Sequence, residues 1–146
     1  MTYDQTMPPQ VLAFDVFGTV VDWHGSVARE VNALYPGVDG DAFALAWRAG
    51  LPWDCILSAE VFRAYKPDPA TYLGVARVFD LNPNQVMLVA AHQDDLAAAR
   101  ACGLQTAHIE RAAEFGLAHI KDVSPDPANT LHARDFLDLA DQLSYS

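Results

Sequence analysis

Three short stretches of the chain are runs of β-branched or apolar residues: 11–16 (VLAFDV), 86–90 (VMLVA) and 105–109 (QTAHI). A fourth, weaker one is 55–58 (CILS). Each has the length of a strand, and continuous rather than alternating apolar character predicts strands covered on both faces, as in a parallel sheet. Between them the period changes to that of helices. Residues 25–34 place Val27, Val31 and Leu34 on one face, and 41–48 (DAFALAWR) is a short apolar helix. Residues 68–79 open with Asp68 as N-cap and Pro69 at the first helical position. The helix at 93–102 (QDDLAAARAC) runs into Gly103, the usual left-handed terminator. A last one at 135–143 aligns Phe136, Leu137, Leu139, Ala140 and Leu143, and 121–130 is the most loop-like stretch.

Strands alternating with helices of this length imply right-handed βαβ units, so the predicted fold class is α/β, a doubly wound, mainly parallel sheet with flanking helices. Sites in such sheets lie at the carboxyl ends of the strands. That rule turns positions into a place. Asp15 closes the first strand, Ala90 to Asp95 follow the second apolar run, and Lys66 follows the weak strand at 55–58. A lysine and two carboxylates are thereby expected at one sheet edge. An unpaired charge in an apolar run costs several kcal/mol, roughly, so Asp15 reads either as the residue ending its strand or as a reagent.

Composition narrows the partners. The 146 residues suit a single domain spanning 1–146, and with 51% hydrophobic and 19% charged residues the chain is globular in composition. No run is long enough to cross a bilayer, and MTYDQTMPPQ does not read as a signal peptide, so the expectation is a cytoplasmic protein that makes no use of a membrane. A formal charge of −10 with scattered basic residues argues against nucleic acid, and an anionic ligand needs a local positive site. Cys55 and Cys102 lack metal-ligand spacing and read as buried thiols.

FDVFGTVVDW, AYKPDPATY and VAAHQDDLAAARACGLQTA, in that order, resemble motifs one, three and four of the haloacid dehalogenase (HAD) superfamily, and specifically of its 2-haloacid dehalogenase branch. The resemblance covers most of residues 11–110 and implies a HAD-like Rossmannoid core. It implies that Asp15 is the nucleophile, a carboxylate ionised at neutral pH that forms an ester which water cleaves. Gly18 and Thr19 would expose it. Lys66 would hold Asp15 ionised and oriented. Asp95 would pair with Lys66 and help position or activate the hydrolytic water, while Asp94 would point outward, its position being often aromatic in relatives. Phe17, Arg48 and His92 would line the substrate site, Arg48 cradling the departing halide and the substrate carboxylate. Solvated surface positions for Arg48 and His92 are the plainer alternative.

Two positions separate this chain from HAD phosphatases. Those enzymes carry a second aspartate where this chain has Phe17, and two acids after the strand where this chain has Ala91 and Asp95. Halide leaves as a stable anion and needs no proton donor, and magnesium needs several hard oxygen ligands. The resemblance therefore implies hydrolytic dehalogenation of a small anionic 2-haloacid to a 2-hydroxy acid, with no metal and no cofactor. Relatives also have a helical cap and a motif two between the arginine and KPDP; here AWRAG runs directly into LPWDCILSAE, leaving residues 24–54 as a cap-derived helical segment. With the cap largely absent, apolar surface near Trp23, Trp47 and Trp53 would favour a homodimer. The alternatives are a magnesium-dependent HAD phosphatase and a catalytically incompetent core that serves as an interaction module or remnant.

Overall fold

The computed structural model describes residues 7–15, 29, 31–40, 42–43, 54–112, 114 and 120–144. Phe17, Gly18, Thr19, Val27, Arg48 and the three tryptophans lie outside the described residues.

Four strands, β1 (Val11–Phe14), β2 (Val86–Ala90), β3 (Gln105–Ile109) and β4 (Leu131–Ala133), form one sheet in the order β1-β2-β3-β4. Every pairing is parallel, with Val11 opposite Val86, Met87 opposite Gln105 and Ala107 opposite Leu131. Asp15 continues the ladder past β1, its N–H donating to Val89 O at 2.9 Å.

Side chains of β2 alternate between two apolar clusters, which is the direct consequence of the two-residue strand period. Val86, Leu88 and Ala90 pack with Tyr72, Ala76, Leu96, Ala99 and Leu104 on one face. Met87 and Val89 pack with Ala107, Ile109, Ala133 and Leu139 on the other. Double coverage explains the unbroken apolar run of β2, and β2 and β3 are both buried at every position. Polar residues of β3 are accommodated by pairing. Gln105 donates to Asn84 O at 2.7 Å, Thr106 donates to Asn129 Oδ1 at 3.0 Å, and His108 Nδ1 lies 3.2 Å from His132 Nδ1.

The helices are α1 (Ala59–Phe62), α2 (Pro69–Val78), α3 (Gln93–Ala101) and α4 (Phe136–Ser144). Asp68 caps α2 as expected, accepting from Ala70 N at 2.8 Å, with Pro69 at the start of the helix. Gly103, at φ +84°, turns the chain after α3. Helical residues also occur at 31–34, 40 and 42–43. Gly74 lets α1 approach α2, because a Cβ there would meet the Phe62 ring at 2.4 Å.

The structure corrects several expectations. Residues 55–58 form no strand; they lead into α1, and Ser58 stands at its N-cap. Among the described residues the pairing of β1 is with β2, and residues 55–58 join no ladder before the helix begins. The strand β4 takes the place in the count, following the loop at 121–130. Cys55 is exposed and Cys102 half-buried, so neither is a fully buried thiol. Leu34 and Leu137 are exposed although both fit a helical period, whereas Val31 and Leu139 are buried.

The phase of α4 is testable. Leu139 is its one buried residue among those described and Leu137 is 79% exposed. Leu139→Ala is expected to cost about 2–5 kcal/mol in chemical denaturation. Leu137→Ala is expected to stay within about 0.5 kcal/mol of the parent. Equal penalties would contradict this packing.

Candidate active site

All four strands run the same way, so their carboxyl ends share one edge, and three loops deliver side chains to it. Asp15 arrives from the end of β1. Lys66 arrives from the turn between α1 and α2, closed by Asp68 N–H donating to Tyr65 O at 2.9 Å. His92, Asp94 and Asp95 arrive from the N-terminal end of α3, directly after β2.

The Lys66 ammonium donates to Asp15 Oδ1 at 2.8 Å and to Asp95 Oδ2 at 2.5 Å, joining the two carboxylates. The acids are well sheltered, with 14% and 10% of their side chains exposed, while Lys66 retains 42%. Burial works to lower the Lys66 pKa, but the hydrogen bonds and charges of Asp15 and Asp95 outweigh it and hold the ammonium above its ordinary value. The second oxygen of Asp95, Oδ1, accepts from the Tyr72 hydroxyl at 2.7 Å. Burial and that bond push the Tyr72 phenol far up, so it remains a donor.

On the opposite side of Asp15 stands His92. Its Nδ1 is 3.6 Å from Asp15 Oδ2, and its Nε2 is 2.8 Å from Glu114 Oε1. Lys121 donates to the other Glu114 oxygen at 2.7 Å and to Ala91 O at 3.1 Å. A cavity of about 430 Å³ opens among Asp15, Lys66, Tyr72, His92, Asp94 and Asp95.

The expected meeting of Asp15, Lys66 and Asp95 is therefore present, with His92 beside it. Phe17 and Arg48, the two other expected substrate contacts, lie outside the described residues. Asp94 is exposed, yet it lines the cavity rim rather than turning away from it, and its Oδ1 accepts from Asp95 N at 3.0 Å. The helix start favours acids in its first turn, and Asp94 stands in that turn beside Asp95. Sequence reasoning missed Tyr72, Glu114 and Lys121. Tyr72 had a signal, since it sits within the AYKPDPATY motif. Glu114 and Lys121 had none, because their position depends on how the chain returns after β3.

A residue set suited to magnesium would offer several free carboxylate oxygens. Here Asp95 is engaged at both oxygens, Ala91 presents only a backbone carbonyl that already accepts from Lys121, and an ammonium occupies the space between Asp15 and Asp95. The described residues fit such a metal poorly.

No family profile matches the chain. A curated (S)-2-haloacid dehalogenase from Xanthobacter autotrophicus is 31% identical over 77 residues, which are 51% of this chain and 30% of that protein. The chain thus spans under a third of that relative's length. Among solved structures, a defluorinating L-2-haloacid dehalogenase superposes with a TM-score of 0.74 at 27% identity, over 93% of this chain and 95% of that one. Another L-2-haloacid dehalogenase gives 0.75 at 28%, over 92% and 99%. The X. autotrophicus L-2-haloacid dehalogenase with chloropropionic acid covalently bound gives 0.55 at 22%, over 74% and 52%, a likeness of fold. The ordered motifs and the parallel sheet agree with these likenesses, and in both sequence and fold the chain is similar to L-2-haloacid dehalogenases of the haloacid dehalogenase superfamily.

Proposed function

We propose that this chain carries the hydrolytic dehalogenation of short 2-haloacids, by way of an ester on Asp15. The observation that carries the reading is the shared ammonium: Lys66 lies 2.8 Å from Asp15 Oδ1 and is itself fixed by Asp95. A carboxylate nucleophile must be ionised, aimed and only partly shielded, and one cation held from behind by a second acid supplies all three. Asp15 lines the cavity, and its Oδ2 lies 3.6 Å from His92 Nδ1.

In this reading an Asp15 oxygen attacks C2 of the haloacid in line with the carbon–halogen bond. The halide departs with the bonding electrons, and water then cleaves the ester to release the 2-hydroxy acid. Alkyl halides require no acid to assist the leaving group, which agrees with Phe17 at the position where phosphatases carry an acid. The relatives named above are dehalogenases of 2-haloacids, and one is recorded with chloropropionic acid covalently bound. Arg48 is the proposed cradle for halide and substrate carboxylate. Residues 24–54 are proposed as the reduced counterpart of the cap, and pairing of two copies over that region is a proposal on the same footing.

Halide release from monochloroacetate and 2-chloropropionate, with and without magnesium and beside an aryl phosphate, tests the reading. Turnover of the haloacids that is indifferent to magnesium and lost in Asp15→Asn is expected. Phosphate release dependent on magnesium, or halide release that survives Asp15→Asn, contradicts it.

The ion triad also carries a pH signature. A lysine whose folded-state pKa is raised stabilises the fold fully below its ordinary value of 10.5, and loses that contribution as pH rises through the folded-state value. Lys66→Met is therefore expected to lower the thermal midpoint near neutral pH and to lower it less well above pH 10.5. A penalty independent of pH would contradict the ion triad.

A further inference from the structure

Ester cleavage needs a base for the attacking water, and beside Asp15 the cavity is lined by three groups that can accept a proton, Asp94, Asp95 and His92; Asp94 is exposed, with Oδ1 taken up by the Asp95 N–H. Asp95 is committed: Oδ2 accepts from Lys66 and Oδ1 from Tyr72, so both oxygens are engaged with donors that hold it still. His92 is arranged differently. Its Nε2 lies 2.8 Å from a Glu114 oxygen, and a carboxylate there can only accept, so Nε2 carries the proton. In the neutral ring Nδ1 then presents its lone pair toward Asp15, 3.6 Å from Oδ2. That gap is too long for a direct hydrogen bond and leaves the nitrogen aimed at the carboxyl group that becomes the ester.

Glu114 is built for a fixed position. Only 8% of its side chain is exposed, and Lys121 holds its other oxygen at 2.7 Å while also donating to Ala91 O, one residue before His92. Lys121 thus ties Glu114 to the backbone that carries the histidine. An acid orienting an imidazole whose far nitrogen faces a reacting carboxyl group is the arrangement that general-base catalysis requires.

We infer that His92 is the general base of the ester-cleaving half-reaction and that Glu114, anchored by Lys121, is the positioning residue that fixes its tautomer. This rests on the reading of Asp15 as an alkylated nucleophile. Water gives a proton to His92 Nδ1 as its oxygen bonds to Asp15 Cγ. The tetrahedral intermediate collapses with cleavage of the bond between Cγ and the alkyl-bearing oxygen, and the departing alkoxide takes the proton back from His92. Asp15 emerges protonated and ionises to solvent, so one water is consumed and one 2-hydroxy acid formed.

The test separates the two half-reactions. Pre-steady-state halide release from monochloroacetate is followed in the parent, Asp15→Asn, His92→Gln and Glu114→Gln. Both histidine-side variants are expected to give a halide burst near one equivalent per enzyme, followed by a steady rate about 100-fold below the parent. The burst shows in the same sample that the variant is folded and that Asp15 still attacks. Loss of the burst in either variant, or a parent-like steady rate, overturns the inference while leaving Asp15 as nucleophile. No halide from the parent, or a parent rate unaffected in Asp15→Asn, overturns the underlying reading and this inference with it. Nitrogen NMR of the resting parent gives a readout independent of turnover. Measured where the ring is neutral, His92 is expected to carry its proton at Nε2, with that preference lost in Glu114→Gln; a neutral ring protonated at Nδ1 overturns the assignment.

Discussion

One ammonium organises this site. Lys66 is the cation between two sheltered acids from different parts of the fold, Asp15 after β1 and Asp95 in the first turn of α3. Two carboxylates brought to one sheet edge repel each other, and an interior offers little solvent to screen them. Lysine answers this by hydrogen bonding to both, and the answer costs it part of its own hydration, which is why burial and pairing pull its pKa in opposite directions with pairing the stronger. Tyr72 completes the arrangement by holding the other oxygen of Asp95. The charge of a reactive aspartate is thus stabilised by a fixed cation at the edge of the cavity.

The rest of the fold serves to bring these groups together. Parallel pairing of β1 with β2 places Asp15 beside the end of β2, and the chain passes from there through His92 into α3. Burial of β2 on both faces fixes its register, because a slip of one residue would exchange its two apolar clusters. Packing of α1 on α2, made close by Gly74, holds the turn that carries Lys66. The far side is supplied after β3, where Glu114 and Lys121 meet His92.

Much of this was legible in the residues. The unbroken apolar run of β2 is legible because that strand is covered on both faces, and Asp68-Pro69 and Gly103 mark helix ends through backbone chemistry that is local. The convergence of Asp15, Lys66 and Asp95 follows from the rule for parallel sheets once their strands are known, and Lys66 arrived there although the strand assigned before it does not exist. What escaped is what depends on partners distant in sequence. CILS has strand-like residues but joins no ladder among the described residues. The three residues of β4 are too few to show a period. Leu137 has the spacing of a buried residue and faces away, since only the docking of α4 against β3 and β4 decides which stripe is covered. Glu114 and Lys121 carry no motif, and their meaning appears only beside His92.

The account stands or falls on Asp15 becoming an ester. The most direct measurement is to mix the protein with monochloroacetate, quench in acid within the first turnover, digest, and locate the added carboxymethyl group by mass spectrometry. Cys55 supplies an internal control, because its exposed thiol can be alkylated by the reagent without any catalysis. The account predicts a rapidly formed, hydroxylamine-labile adduct on Asp15 that disappears as product forms. An Asp15 peptide that stays unmodified while halide is released, or an adduct confined to Cys55, would contradict it.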